Sequence, residues 1–229
     1  MKYISGLILM LWAQQVCAQM ALVQDKDGYT NIRKNAGVSQ TVIGKVLDGD
    51  IVYLLEPEGE WYNIDYYHEG EISGGFIHRS RVKVIDAFEQ ITVKEQTDNR
   101  AVFQKDSIRV MLTAKPFVLK DNTVQYTTHD NVRYVDKINH QPYYGSDGGL
   151  PTRQYGSLQV QYGNRNIPVP DSAIRGLYNP NIRMTTVNYD RKNDRLYITA
   201  TNSDGAGSYE LLWLFEHGMY TRRVIYFGL

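Results

Sequence analysis

Between Ala21 and Val84 the apolar positions come in short runs, each closed by a cluster of turn-forming residues. Ala21-Leu22-Val23 leads into Asp25-Lys26-Asp27-Gly28, where aspartate side chains bond nearby backbone and glycine supplies a positive φ. Tyr29 to Arg33 is broken by Asn35-Ala36-Gly37, and Val42, Val46 and Leu47 lead to Asp48-Gly49-Asp50. Ile51 to Leu55, Trp61 to Tyr67, Gly74 to His78 and Ser80 to Val84 complete the set, with Pro57-Glu58-Gly59-Glu60 as a further turn. Five or six short strands in about 60 residues fit a small barrel. Ile32, Val46, Val52, Leu54, Ile64 and Ile77 alternate with polar neighbours and are expected inside it, because side chains of a strand point alternately to its two faces.

Beyond Asp86-Ala87-Phe88-Glu89, read as a linker, the same grammar continues in a second unit. Ile91–Val93, Arg109–Leu112, Phe117–Leu119, Val132–Val135, Leu196–Thr201 and Tyr209–Phe215 read as strands, and Asp, Asn or Gly stands in nearly every gap. Ile198, Leu211, Trp213, Phe215 and Val224 alternate as a half-buried hairpin would. Two loops, Ser146-Asp147-Gly148 and Ser203-Asp204-Gly205, share a form and are each followed by a strand, a glycine turn and another strand. This suggests duplicated hairpins on one side of a sheet. The expected fold class is mainly β: a small β-barrel at residues 21–85, then a larger antiparallel β-rich domain at residues 88–229.

Composition strengthens the β reading, since 18 tyrosines accompany many Val, Ile and Thr residues suited to a pleated surface. Charge narrows the partners. The chain carries 25 basic and 25 acidic residues, so no field of one sign steers it to nucleic acid or to an anionic membrane. Residues 1–18 differ in kind: Lys2 precedes an apolar stretch from Ile4 to Ala13, and Val16-Cys17-Ala18 puts small residues before a cleavage point. This predicts a signal peptide removed after Ala18 and an exported protein, periplasmic or secreted, with no transmembrane segment in the remainder. Lipidation at Cys17 is disfavoured, because Gln14-Gln15-Val16 does not match a lipobox. Cys17 is the sole cysteine, so the processed chain is expected to have neither a disulfide nor a thiol nucleophile.

Four segments in order, Gly28-Tyr29-Thr30-Asn31-Ile32-Arg33, Gly49-Asp50-Ile51-Val52, Trp61-Tyr62-Asn63-Ile64 and Gly75-Phe76-Ile77-His78, resemble the signature of bacterial SH3-type (SH3b) domains. The resemblance covers residues 21–84 only. It implies an SH3-like, half-open β-barrel of the kind found on cell-wall enzymes and exported proteins, with peptidoglycan or an envelope protein as partner. The Asp204-to-Glu210 segment of the second unit resembles exported bacterial proteins of unknown role.

Trp61, Tyr62, Tyr66 and Tyr67 are the ligand candidates by chemistry, since aromatic faces beside a groove stack on sugar or peptide. Asn31 and Arg33 flank Ile32 and face away from it, placed either to tie a loop to backbone or to touch ligand. Gly75 is expected at a strand bend or a close backbone approach. In the second unit Asn202, Asp204 and Glu210 set three oxygen donors close together, a weak calcium candidate whose spacing departs from an EF-hand loop. The five histidines lack zinc-ligand spacing and no nucleophile elbow occurs, so no cofactor or catalytic residue is expected. The leading expectation is a non-catalytic binding protein of the bacterial envelope. Two rivals stand beside it: a wall hydrolase using Asp147, Asp204 or Glu210, and an inhibitor or immunity-like protein that caps an envelope enzyme.

Overall fold

A computed structural model describes residues 18–228. The predicted signal peptide, including Lys2, the apolar stretch and Cys17, lies outside the described residues apart from Ala18. Within them the protein is mainly β, with nineteen strands, six short 3₁₀ turns and no α-helix. No helix among the described residues is long and apolar enough to cross a membrane. The chain divides into two compact units, residues 23–82 and residues 83–228, the second also taking in Met20–Leu22.

The first seven strands are β1 (Gln19–Val23), β2 (Tyr29–Arg33), β3 (Val42–Leu47), β4 (Ile51–Glu58), β5 (Trp61–His68), β6 (Glu71–His78) and β7 (Val82–Val84). They form one sheet in the order β3-β2-β6-β5-β4-β1-β7. Ile32, Val46, Val52, Leu54, Ile64 and Ile77 are all buried, as their alternation requires. Glu69 and Gly70, both at positive φ, close the β5–β6 hairpin in two residues. That turn fixes a register in which Trp61 stands opposite His78 and Ile64 opposite Gly75. At Gly75 the crowding comes chiefly from a side chain: a Cβ there would collide with that of Ile32.

In the second unit β8 (Glu89–Gln90), β16 (Thr185–Asp190), β17 (Arg195–Asn202), β18 (Tyr209–Glu216) and β19 (Met219–Phe227) form one five-stranded antiparallel sheet, ordered β19-β18-β17-β16-β8. A second sheet comprises β9 (Val93–Gln96), β10 (Arg100–Lys105), β11 (Ile108–Pro116), β14 (Arg153–Tyr162) and β15 (Arg165–Ile167), in the order β15-β14-β11-β10-β9. One apolar cluster joins the two, with Phe103, Val110, Leu112, Leu158 and Val160 from the second sheet meeting Leu196, Ile198, Leu211, Trp213 and Phe215 from the first. This is the face-to-face solution by which two one-sided sheets bury their apolar faces. The remaining pair, β12 (Val124–His129) and β13 (Val132–Ile138), stands as a separate hairpin.

Three expectations need correction. Phe117–Leu119 is not a strand: Pro116 ends β11, Leu119–Asp121 is a 3₁₀ turn, and Phe117 packs edge-on against Tyr178 instead. The β17–β18 hairpin is not half-buried, because Leu212 and Leu214 are as enclosed as Leu211 and Trp213, so β18 is buried on both faces. The two look-alike hairpins, β14–β15 and β18–β19, lie in different sheets rather than on one side of a single sheet.

Candidate ligand cleft

The first unit carries an open cleft of about 430 Å³, lined by Asp25, Asp27, Tyr29, Thr30, Asn31, Arg33, Val38, Trp61, His78, Ser80 and Arg81. That volume falls in the range of about 300–1,000 Å³ typical of small-ligand sites. Its floor follows from strand geometry. Tyr29, Asn31 and Arg33 alternate along β2 with the inward Thr30 and Ile32, and the β5–β6 register brings Trp61 and His78 together.

The Trp61 and His78 rings meet edge to face, with centroids 5.2 Å apart and planes at 85°. His78 is held from behind: Ser80 donates its backbone N–H to His78 Nδ1 at 3.3 Å, and the Ser80 hydroxyl lies 2.8 Å from the same nitrogen. An N–H donated to Nδ1 makes that atom the acceptor, so the neutral imidazole carries its proton on Nε2. The same interaction caps the 3₁₀ turn Arg79–Arg81, which delivers Arg81 to the cleft. Arg81 pairs with Asp25 at 3.0 Å, and Asp25 Oδ1 also accepts the Asp27 N–H at 3.0 Å. With its side chain 4% exposed, this carboxylate is compensated and committed.

Arg33 stands apart from that pair. Its Nη1 donates to the Gln40 carbonyl at 2.6 Å, and its guanidinium carbon lies 6.0 Å from the Trp61 ring centroid. Among the described residues no carboxylate pairs with it. The Asn31 carboxamide and the Trp61 indole N–H likewise have no protein partner there. Outside the lining, the Lys45 ammonium sits 4.3 Å from the Tyr29 ring centroid.

Of the six side chains singled out in the sequence, the structure therefore brings together Trp61, Asn31 and Arg33. Tyr66 is a core residue, 1% exposed, whose hydroxyl fills the space a Cβ on Gly44 would need. Tyr62 alternates to the opposite strand face and pairs with Ile77, while Tyr67 is exposed opposite Ile72, outside the cleft lining. His78, Ser80, Tyr29 and the Asp25–Arg81 pair complete the cleft. Of these, Tyr29 and His78 left a trace in the sequence, as members of the Gly28-to-Arg33 and Gly75-to-His78 motifs.

The calcium candidate does not assemble. Asn202 is fully buried, and its Oδ1 accepts from the Tyr155 hydroxyl at 2.9 Å and from the Asn181 N–H at 3.0 Å. Asp204 is exposed, and Glu210 accepts the Thr201 hydroxyl at 3.0 Å, with burial holding its pKa above the usual carboxylate range. No group of three His, Cys, Asp or Glu side chains among the described residues is placed to hold a metal.

The two Ser-Asp-Gly loops meet, but as structure. Asp147 lies against Gly205 and Gly207, where a Cβ on Gly207 would come within 2.7 Å of Asp147 Oδ1. Asn179 locks the arrangement: its Oδ1 accepts the Thr152 N–H at 3.0 Å, its Nδ2 donates to the Gly145 carbonyl at 2.6 Å, and the Ser203 hydroxyl donates to that same carbonyl at 3.1 Å. Comparison of the chain with family models, curated proteins and solved structures returned no match.

Proposed function

We propose that this is an exported, non-catalytic binding protein of the bacterial envelope, whose first unit is an SH3-type module that recognises cell-wall peptide or a protein partner through the Trp61 cleft. The observation that carries the reading is the cleft itself: a half-buried indole, a guanidinium without a carboxylate and an unbonded carboxamide face one open space. Buried or half-buried polar groups in folded proteins find partners, and groups left available around an aromatic ring in a concavity are the ordinary makings of a binding site. The resemblance of residues 28–33, 49–52, 61–64 and 75–78 to SH3b domains supports the same conclusion and suggests the bacterial envelope as the setting. The leader-like residues 1–18 support export.

A hydrolase using Asp147, Asp204 or Glu210 has less support. Asp147 is packed against the Gly205–Gly207 turn, and Glu210 is engaged with Thr201. The test is retention of the purified chain on isolated peptidoglycan sacculi, with Trp61→Ala as control and soluble muropeptides followed in the same tube. Retention that the substitution abolishes, without muropeptide release, is the expected result. Release by the unmodified chain would contradict a non-catalytic role, and absence of retention would move the ligand from wall to protein.

A further inference from the structure

The ligand class of the cleft follows from an inventory of its charges and donors, on the premise that the cleft is the binding site. Four formally charged side chains line it: Asp25, Asp27, Arg33 and Arg81. Asp25 and Arg81 neutralise each other at 3.0 Å. Asp27 is exposed on the Asp25-to-Gly28 turn, where water and salt screen it. Arg33 is half-buried and bonded to a neutral carbonyl, so its positive charge has no partner carboxylate among the described residues.

The hydrogen-bonding inventory leans the same way. A guanidinium offers five N–H donors and Arg33 spends one on Gln40. The Trp61 indole adds a donor with no acceptor, and the Asn31 carboxamide supplies two more donors against one acceptor oxygen. A glycan hydroxyl surface asks for donors and acceptors in comparable number. This wall asks chiefly for acceptors, a planar anion among them, beside an aromatic ring that will cover an apolar or amide body.

We propose that the cleft binds a short peptide through a carboxylate, with Arg33 holding the anion in a two-point hydrogen-bonded pair and the Trp61 ring packing on the residue that carries it. Arg33 is suited to this where lysine would not be, because a planar fork matches a carboxylate in two places at once. His78, fixed by Ser80, holds the Trp61 ring in place rather than competing for the anion.

The test is an NMR titration of the isotopically labelled chain from Gln19 onward with acetyl-Ala-Ala as the free acid and as the C-terminal amide, read at the Trp61 indole N–H and the Arg33 Nε–H. The free acid is expected to bind at least about tenfold more tightly than the amide. In Arg33→Gln the two ligands should become equal, at the amide affinity of the unmodified chain, which also reports that the cleft is still folded. Arg33→Lys should restore only part of the preference. Running the acid in both L,L and D,D forms separates a protein terminus from a wall peptide as the source, and a preference for either enantiomer over the amide supports the proposal. Equal binding of acid and amide to the unmodified chain overturns the carboxylate proposal and leaves the cleft standing as a site. Absence of any response at Trp61 overturns both.

Discussion

The Arg33 cleft of the first unit and the Asn179–Asn202 cluster of the second both gather polar side chains from loops, yet they dispose of them in opposite ways. Around Asn202 the bonds turn inward: its Oδ1 accepts from Tyr155 and Asn181, its Nδ2 donates to the Ala200 carbonyl, and Asn179 ties Thr152 to Gly145. Around Arg33 the pairing stops short: among the described residues the guanidinium has one backbone carbonyl and no carboxylate, and the Trp61 indole N–H and the Asn31 carboxamide have no protein partner. A polar loop cluster is thus informative only once its internal bonds are counted. The Ser-Asp-Gly loops carry more conspicuous chemistry in the sequence, but Ser146 and Ser203 are bonded to backbone carbonyls and Asp147 packs against Gly207.

That contrast can be broken first where the second unit is most tightly fitted. Gly145 adopts φ 101°, and a Cβ there would collide with the Tyr178 backbone carbonyl. Gly145→Ala should cost about 3 kcal/mol of unfolding free energy, through overpacking plus strain at a positive φ, while binding at the cleft persists in the folded fraction. Asn202→Ala comes next. It leaves the buried Tyr155 hydroxyl and the Asn181 N–H without their acceptor and should cost about 2 kcal/mol in chemical denaturation, with no response to added calcium before or after the change. A calcium-dependent gain in stability in the unmodified chain would restore the metal reading.

In the first unit the expected loss is of function. Trp61→Ala should weaken ligand binding at least about tenfold, because a half-buried aromatic anchor in a pocket carries a large share of binding energy. Its effect on stability should be about 1 kcal/mol or less, below that of Asn202→Ala. The smallest effect concerns pH. Hydrogen bonds from Arg191 and then Lys105 lower the Glu89 pKa to about 2. A depressed carboxylate pKa contributes stability above its unfolded value of 4.5, and that contribution is lost as pH falls from there toward 2. Glu89→Gln should lower the stability of the second unit slightly at neutral pH and flatten its profile between pH 4.5 and 2, so that the difference from the unmodified chain vanishes at the acid end.

The mainly β architecture was legible because its signals are local. Short apolar runs, turn residues at their ends and strict alternation placed Ile32, Ile64 and Ile77 inside without any knowledge of the neighbours. The cleft was half legible for the same reason. Asn31 and Arg33 flank Ile32 on one strand, and Trp61 opens another, so alternation alone gives their faces. Tyr62 and Tyr66 carry equally suitable chemistry, but alternation sends Tyr62 away from Trp61, and Gly44 leaves room for Tyr66 to enter the core. What stayed hidden depends on long-range partners: Arg81 with Asp25, His78 with Trp61 by cross-strand register, and Asn202 with Tyr155, 47 residues away. The double-sided burial of β18 was hidden too, because a continuous apolar run such as Leu211–Phe215 does not reveal which faces will be covered.

The most direct test of the contrast is a backbone and side-chain NMR map of the chain from Gln19 onward, titrated with soluble muropeptides. The account expects shifts confined to Tyr29, Asn31, Arg33, Trp61, His78 and their immediate neighbours, with residues 145–149 and 202–208 silent. Shifts confined to residues 145–149 and 202–208, with Trp61 unmoved, would contradict it.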